Sequence, residues 1–515
     1  MKSINQLKAG TVLTYITMLI STIIPLLYTP VMLRILGQAE YGLYSLSSSI
    51  MSYLFMLTLG LCAAISRYIV KYIVANDKVM LERVIGLFVD VFFAIGVVVC
   101  IVGAIIAFFA DSLFSKGLTI NEINKLRVLI VLMSVNTAIS WISSVYSNVI
   151  TCHERFIFRK LVDMFLTIAS PILNLVILFM GYASIGMAVL AIIVQIIGLL
   201  VNAGYCRMRL KIRPRYLNPP KELLKDIFAF SAFVFIGMIA DLLYWSTDKI
   251  LIGAMMGSIA VAVYNIGSTF NSLLQNLASA ISGVFSPRVN SYVFKNKDIS
   301  EISSLMIRVG RLQYLIVSLV LAGFVVFGYD FITLWAGNDY KDAYYVALMT
   351  LIPLAVPLIQ NIAYTAICAM NKHKFRAIVY AILAVINVIG TYFLIPILGI
   401  VGASLCTCVV FVIGQGFIMN WYYNKLGFSI KEFWINILKM SIVPLIISVM
   451  YVIISHCFLG TVNVLAALLL RIIIFTLVYS LLTYLFTMND YEKDLFWGIF
   501  RKIKGLFSKK EKINE

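Results

Sequence analysis

The chain has 515 residues, 62% of them hydrophobic and only 12% charged, with a mean hydropathy of +0.98. Soluble domains carry charge at about a quarter of their positions, so this composition excludes an ordinary globular protein and implies an integral membrane one. The formal net charge of +18 points to an anionic partner, and where the charges fall decides which kind.

Crossing a hydrocarbon core of about 30 Å takes about 20 helical residues. Fourteen apolar runs of that kind are predicted, at roughly 9–33, 43–66, 84–110, 128–150, 161–181, 183–205, 227–247, 258–284, 308–328, 344–370, 377–397, 399–422, 440–459 and 463–487. With the amino terminus in the cytoplasm, 34 of the 41 Lys and Arg residues fall on cytoplasmic segments and six on outer ones, while Arg471 lies inside the last run. That bias predicts a multi-pass protein of the cell membrane with both termini cytoplasmic. It also makes anionic membrane lipids a sufficient partner for the basic segments, with no nucleic acid required. The first run is long and lacks a small-residue cleavage site, so it reads as a retained helix rather than a signal peptide. The eight cysteines read as buried and reduced.

The chain repeats itself. Leu36-Gly37, then Leu43-Tyr44-Ser45 with Ser48, Ser49 and Ser52, is answered 220 residues later by Met256-Gly257, then Val263-Tyr264-Asn265 with Ser268, Thr269 and Ser272. Tyr146 and Phe156 are answered by Tyr364 and Phe375, and Gly186 by Gly402, at offsets of 216 to 219. Each repeat holds six spans, an even number, so the halves enter the membrane in the same direction and form parallel lobes around a central cavity. The predicted organisation is an N-lobe over 1–206, a basic cytoplasmic linker over 207–225, a C-lobe over 226–422, two extra spans within 423–487, and a basic cytoplasmic tail over 488–515.

Polar groups inside the spans are the candidate site. Asn265, Ser268, Ser272, Gln275, Asn276 and Ser279 share one face of the eighth span. Lipid does not solvate such a face, so it turns either to protein or to a wet cavity. The seventh span carries Asp241, then Asp248 and Lys249. Buried charges in a membrane mark a pathway or a pair, and both readings stand for these three. Arg34 at the outer end of the first span is a cavity candidate with Glu40 as its expected partner. Arg67 and Arg288 close the cytoplasmic ends of the second and eighth spans, where a guanidinium either grips phosphate bidentately or anchors topology. Pro25 and Pro30 are candidate hinges of the first span. Asp90 and Arg311 lie near helix ends, where snorkelling suffices. No phosphate loop, HExxH, DxD or metal-spaced His and Cys cluster occurs, so no enzyme and no metal site is expected.

These residues resemble the polysaccharide transporter branch of the multidrug, oligosaccharidyl-lipid and polysaccharide exporter superfamily. The resemblance runs over the whole chain and is most specific at Arg34 to Gly37 with Glu40 to Tyr44, at Gly60-Leu61 to Arg67-Tyr68, at Asp248 with Gly257 and Tyr264, and at Pro287. It implies a flippase moving undecaprenyl-pyrophosphate-linked oligosaccharide from the cytoplasmic to the outer leaflet by alternating access. It also implies no cofactor beyond a coupling Na+ or H+, and handover to polysaccharide assembly proteins. The cationic cluster of lipid II flippases is not reproduced, which favours a capsule, teichoic or exopolysaccharide unit as cargo. A drug or cation antiporter of the same superfamily, a polysaccharide polymerase or ligase, and a non-transporting assembly scaffold are the alternatives.

Overall fold

Long charge-free runs of Leu, Ile, Val and Phe become helices here because lipid offers the backbone no hydrogen-bond partner, and a helix satisfies every peptide group internally. The computed structural model describes residues 2–58, 61–215, 246–295, 297–455, 464–495 and 497. Among the described residues every regular element is helical. In chain order they are α1 (Lys2–Leu36), α2 (Gln38–Phe55), α3 (Leu61–Val74), α4 (Lys78–Phe108), α5 (Ala110–Phe114), α6 (Ile120–Cys152), α7 (Phe156–Phe179) and α8 (Ala183–Met208). Residues 246–256 form α9. Then come α10 (Ser258–Phe294), α11 (Ile299–Trp335), α12 (Ala343–Ile359), α13 (Asn361–Ala369), α14 (Lys374–Phe411), α15 (Met419–Lys425), α16 (Ile430–Ile454) and α17 (Leu465–Phe486).

Helices occupy every predicted run except the seventh, most of which lies outside the described residues. Nine described helical stretches are long and apolar enough to cross a membrane, and the pair α12 and α13, bent by 50°, would make a tenth. One of the nine runs from Lys374 to Lys425. It breaks at Gly399, whose φ of 61° and ψ of −142° leave the helix at the predicted boundary between spans eleven and twelve. Only glycine adopts that backbone without strain.

The helix ends show why the sequence stops where it does. Asp77 caps α4 by accepting from the Met80 N–H at 2.9 Å, and Thr119 with Glu122 forms a capping box at the start of α6. The repeat is physical as well as textual. Gly37 and Gly257 both have left-handed backbones, with φ of 78° and 94°. Each accepts, through its carbonyl, the N–H four residues on, from Tyr41 at 3.2 Å and from Val261 at 3.3 Å. Phe158 stacks on Tyr205 with centroids 3.8 Å apart, and Phe375 stacks on Tyr422 at 4.3 Å. Both pairs differ by 217 in number, so the counterpart of Phe375 is Phe158 and not Phe156.

Contacts divide the chain into two compact units, one of Met1–Ile266 with Ala377–Thr407, the other of Gly267–Arg376 with Cys408–Glu515. In the first, α6 packs against α2, α4 and α8, and α1 lies along α7. The start of the basic linker is docked there too: the buried carboxylate of Glu82 on α4 holds the Arg215 guanidinium at 2.7 Å, and the Arg215 N–H donates to the Glu82 carbonyl at 3.0 Å. In the second unit α11 is central, packed by α12, α16 and α17.

Arg311 on α11 corrects the snorkelling expectation. Its guanidinium is buried and bidentate on Glu492, at 2.6 and 2.9 Å, and donates further to Asn436 Oδ1 and the Thr487 carbonyl, both at 3.1 Å. The partner lies 181 residues away, beyond the reach of any local pattern.

Candidate functional site

The site is built around α9. Asp248 and Lys249 are adjacent, so their side chains leave the helix about 100° apart, and they part company completely. Asp248 is 2% exposed. Its carboxylate accepts three hydroxyls: Tyr264 on α10 at 2.6 Å, and Thr407 at 2.8 Å and Thr391 at 3.2 Å on α14. Thr407 also lies 3.3 Å from Oδ1 of the fully buried Asn387. A carboxylate, two threonine hydroxyls and an amide oxygen make an all-oxygen donor set, the chemistry hard cations prefer.

Lys249 turns the other way. Its ammonium donates to Asn265 Oδ1 at 2.6 Å, and the Asn265 amide donates in turn to the Tyr41 hydroxyl at 2.6 Å. These three residues border a cavity of about 330 Å³ inside the first unit. That volume is at the lower end of small-molecule sites. The serine stripe of α2 lines it as well, with Ser45, Ser48, Ser49 and Ser52, and the remaining polar lining is Tyr28, Tyr44, Asn174 and Ser246. The stripe arises because serines at spacings of three and four fall on one helical face. Lys249 is the one charged side chain among the described lining residues.

The other candidates scatter. Asp241 lies outside the described residues. Arg34 is exposed at the end of α1 and does not line the cavity. Glu40 pairs with Lys125 and accepts from Ser184, which corrects the expected pairing with Arg34. Burial opposes ionisation of Glu40, but those two partners outweigh it and hold the carboxyl below its ordinary range. Arg67 is exposed on α3. Arg288 is exposed on α10, with its guanidinium held by the Tyr292 hydroxyl at 2.9 and 3.2 Å. Gln275 is half-buried and Asn276 exposed, and neither lines this cavity. The buried amide of α10 is instead Asn271, which accepts from Thr350 at 3.0 Å. Pro25 and Pro30 sit within the continuous helix α1, on either side of the cavity residue Tyr28.

The second unit holds an apolar groove of about 330 Å³ between α10, α11 and α17, lined by Phe270, Phe324, Phe327, Phe331, Ile472 and Phe475 among others.

With that geometry in place, residues 7–293 match the family described as polysaccharide biosynthesis protein. The chain belongs to that family. A Shigella flexneri protein that carries the name O-antigen transporter is 22% identical over 405 residues, covering 76% of this chain and 92% of its own. Agl15 of Haloferax volcanii, described as a low-salt glycan biosynthesis flippase, is 23% identical over 276 residues, covering 54% of this chain and 57% of its own. Among solved structures, the lipid II flippase MurJ in an inward closed conformation aligns with a TM-score of 0.72 at 16% identity, covering 92% of this chain and 98% of that one. The fold is therefore the one MurJ has, and the nine apolar helical stretches make the chain a multi-pass membrane protein.

Proposed function

We propose that this chain is a flippase that moves undecaprenyl-pyrophosphate-linked oligosaccharide, of capsule or exopolysaccharide type, from the cytoplasmic to the outer leaflet by alternating access of two six-span lobes. The observation that carries the reading is the cavity of the first unit: hydroxyls, an amide network and one ammonium gathered inside an otherwise apolar protein. Such a lining solvates sugar and has no use in a protein that merely spans a membrane. The aromatic groove that α17 helps to form in the second unit suits an isoprenoid chain. Arg67 and Arg288 are the candidates for pyrophosphate, and Arg34 for contact at the outer end.

The Asp248 cage is the place for a coupling ion. Na+ would take the carboxylate, Thr391, Thr407 and Asn387 as ligands, and a proton would take the carboxylate alone. Delivery on the outer side would be to polysaccharide assembly proteins. Depletion of the protein tests the reading: lipid-linked oligosaccharide should accumulate in the cytoplasmic leaflet by mass spectrometry of extracted lipids with leaflet-selective labelling. Absence of accumulation, with new sensitivity to cationic dyes, would support an antiporter instead.

A further inference from the structure

Two helices of the second unit carry irregularities. Pro353 and Pro357 lie one turn apart in α12, and a proline lacks the N–H that would bond the carbonyl one turn back. The helix breaks just after them, at Gln360, and α13 leaves at an angle of 50°. Between α14 and α15, Val412–Ile418 form a π-helical stretch, whose bonds reach the fifth residue rather than the fourth and which recurs at functional sites. α13 and α15 hang from these two irregularities and are tied to each other. The Tyr422 hydroxyl donates at 2.8 Å to the carbonyl of Lys372, just past α13, and the Tyr422 ring stacks on Phe375.

A buried hydrogen-bond junction joins the break to the π stretch. Asn420 on α15 donates through Nδ2 to the carbonyls of Gln415 and Gly416, both at 2.8 Å. Its Oδ1 accepts twice, from Gln360 Nε2 at 2.7 Å and from the indole N–H of Trp434 on α16 at 2.9 Å. An indole N–H only donates, so the Asn420 atom that faces it is oxygen, and Gln360 has to turn its NH2 toward that oxygen. Gln360 Oε1 is left buried, with no partner among the described residues. One acceptor thus serves two donors beside another that serves none, and a buried acceptor without a donor is unfavourable. Moving the Trp434 N–H from Asn420 to Gln360 gives each oxygen one donor and keeps the number of bonds. Two packings that match so closely make a bistable element.

We propose that Gln360, Asn420 and Trp434 form a two-position hydrogen-bond switch, about which α13 and α15 swing as one body against α16. In the position described here α16 is held through Asn420 on α15; in the other it is held through Gln360 at the break. α16 is packed on α11 and stays with it. The switch goes beyond the flippase reading and depends on no cargo.

The test measures distances between two spin labels, carried on unnatural amino acids in the full chain in nanodiscs. One pair replaces Lys372, after α13, and Lys431, on α16; a reference pair replaces Glu301, on α11, and Lys431, all three positions being exposed. The parent should show two distances for the first pair, the minor one at about 10% of the population or more, and one for the reference pair. Trp434→Phe keeps a ring on this half-buried position but removes the donor that changes places, so the first pair should collapse to a single distance. Gln360→Met removes the pin of one position and the acceptor of the other, and should leave one broad distribution. A single distance in the parent, two distances that persist unchanged in Trp434→Phe, or a reference pair that splits in the same way would each overturn the switch. No cargo enters the measurement, so a failed flipping assay leaves this inference standing, and a failed switch leaves the flippase reading standing.

Discussion

Replacing Asp248 by Asn tests both what holds α9 in place and what the buried carboxylate is for. The carboxylate receives three hydroxyl donors on its two oxygens. Asparagine keeps the shape but offers one acceptor oxygen and turns an NH2 toward hydroxyls that had been donating. At least one of Tyr264, Thr391 and Thr407 then loses its acceptor. A buried hydroxyl left in that state costs about 1 to 3 kcal/mol, partly offset by removal of a buried charge. In sodium-free buffer the variant should therefore melt a few degrees below the parent. The second arm uses mass action. A ligand that binds only the folded protein at a hundred times its Kd stabilises it by about 2.7 kcal/mol, so a chain of 515 residues should gain about 2 to 3 °C on replacing choline with sodium. Asp248→Asn should gain nothing. Thermal unfolding of purified protein, followed by size-exclusion recovery in choline, potassium and sodium, reads both arms without any cargo. A parent that melts identically in all three salts would refute sodium at the cage and leave the proton, and a variant that keeps the sodium shift would refute the cage as the site.

Glu492→Gln should destabilise the protein by about 3 to 5 kcal/mol, because it strands the buried Arg311 guanidinium, whereas the double variant Arg311→Met with Glu492→Leu should recover most of the loss in the same melt; a single variant within experimental error of the parent contradicts a buried pair. Glu40, whose carboxyl is held below its ordinary range, contributes stability that is present above the ordinary carboxylate pKa and lost as pH falls through the folded value. The melting difference between parent and Glu40→Gln should accordingly shrink on acidification below about pH 4, and a difference that is flat with pH removes the ion pair from the account. Arg67→Lys and Arg288→Lys preserve topology charge but not the bidentate fork, so both should slow flipping in vesicles at unchanged orientation, and parental rates in both would leave the two as anchors only. Reporters fused after Lys160, Asn218 and Lys374 should read cytoplasm and those after Ser115 or Asn338 the outside, and an external signal at Asn218 breaks the parallel scheme.

Hydropathy and repeats made the helices legible because membrane solvent imposes them residue by residue. Gly37 and Gly257 could be matched from sequence for the same reason: each sits at a helix break that needs a left-handed backbone, and the need shows in the letters. Lys249 and Asn265 were legible as charged and amide groups where lipid permits neither. Tyr28 and Asn174 were not. Each is a single polar residue in an apolar helix, with no periodic companion to reveal which side it faces. The hydrogen-bond partners of Asp248 were hidden differently, since Thr391 and Thr407 lie 143 and 159 residues away in sequence and look like ordinary packing hydroxyls until α14 brings them in. Asn276 failed in the opposite direction. It shares the polar face of α10, yet the face changes neighbours along a helix of 37 residues, and only its first turns reach the cavity.

The two adjacent charges of α9 are joined to two adjacent residues of α10. Asp248 accepts from the hydroxyl of Tyr264 on the buried side, and Lys249 donates to the amide oxygen of Asn265 on the cavity side, each pair sixteen residues apart. Neighbouring residues on a helix cannot shift independently, because the backbone hydrogen bonds that fix one fix the other. Asn265 is bonded in turn to the hydroxyl of Tyr41 on α2. The buried carboxylate and the polar cavity are in this way two faces of one helix pair. An ion pair within one helix is best served by residues three or four positions apart, so the adjacent Asp248 and Lys249 are two separate contacts, one on each side of α9.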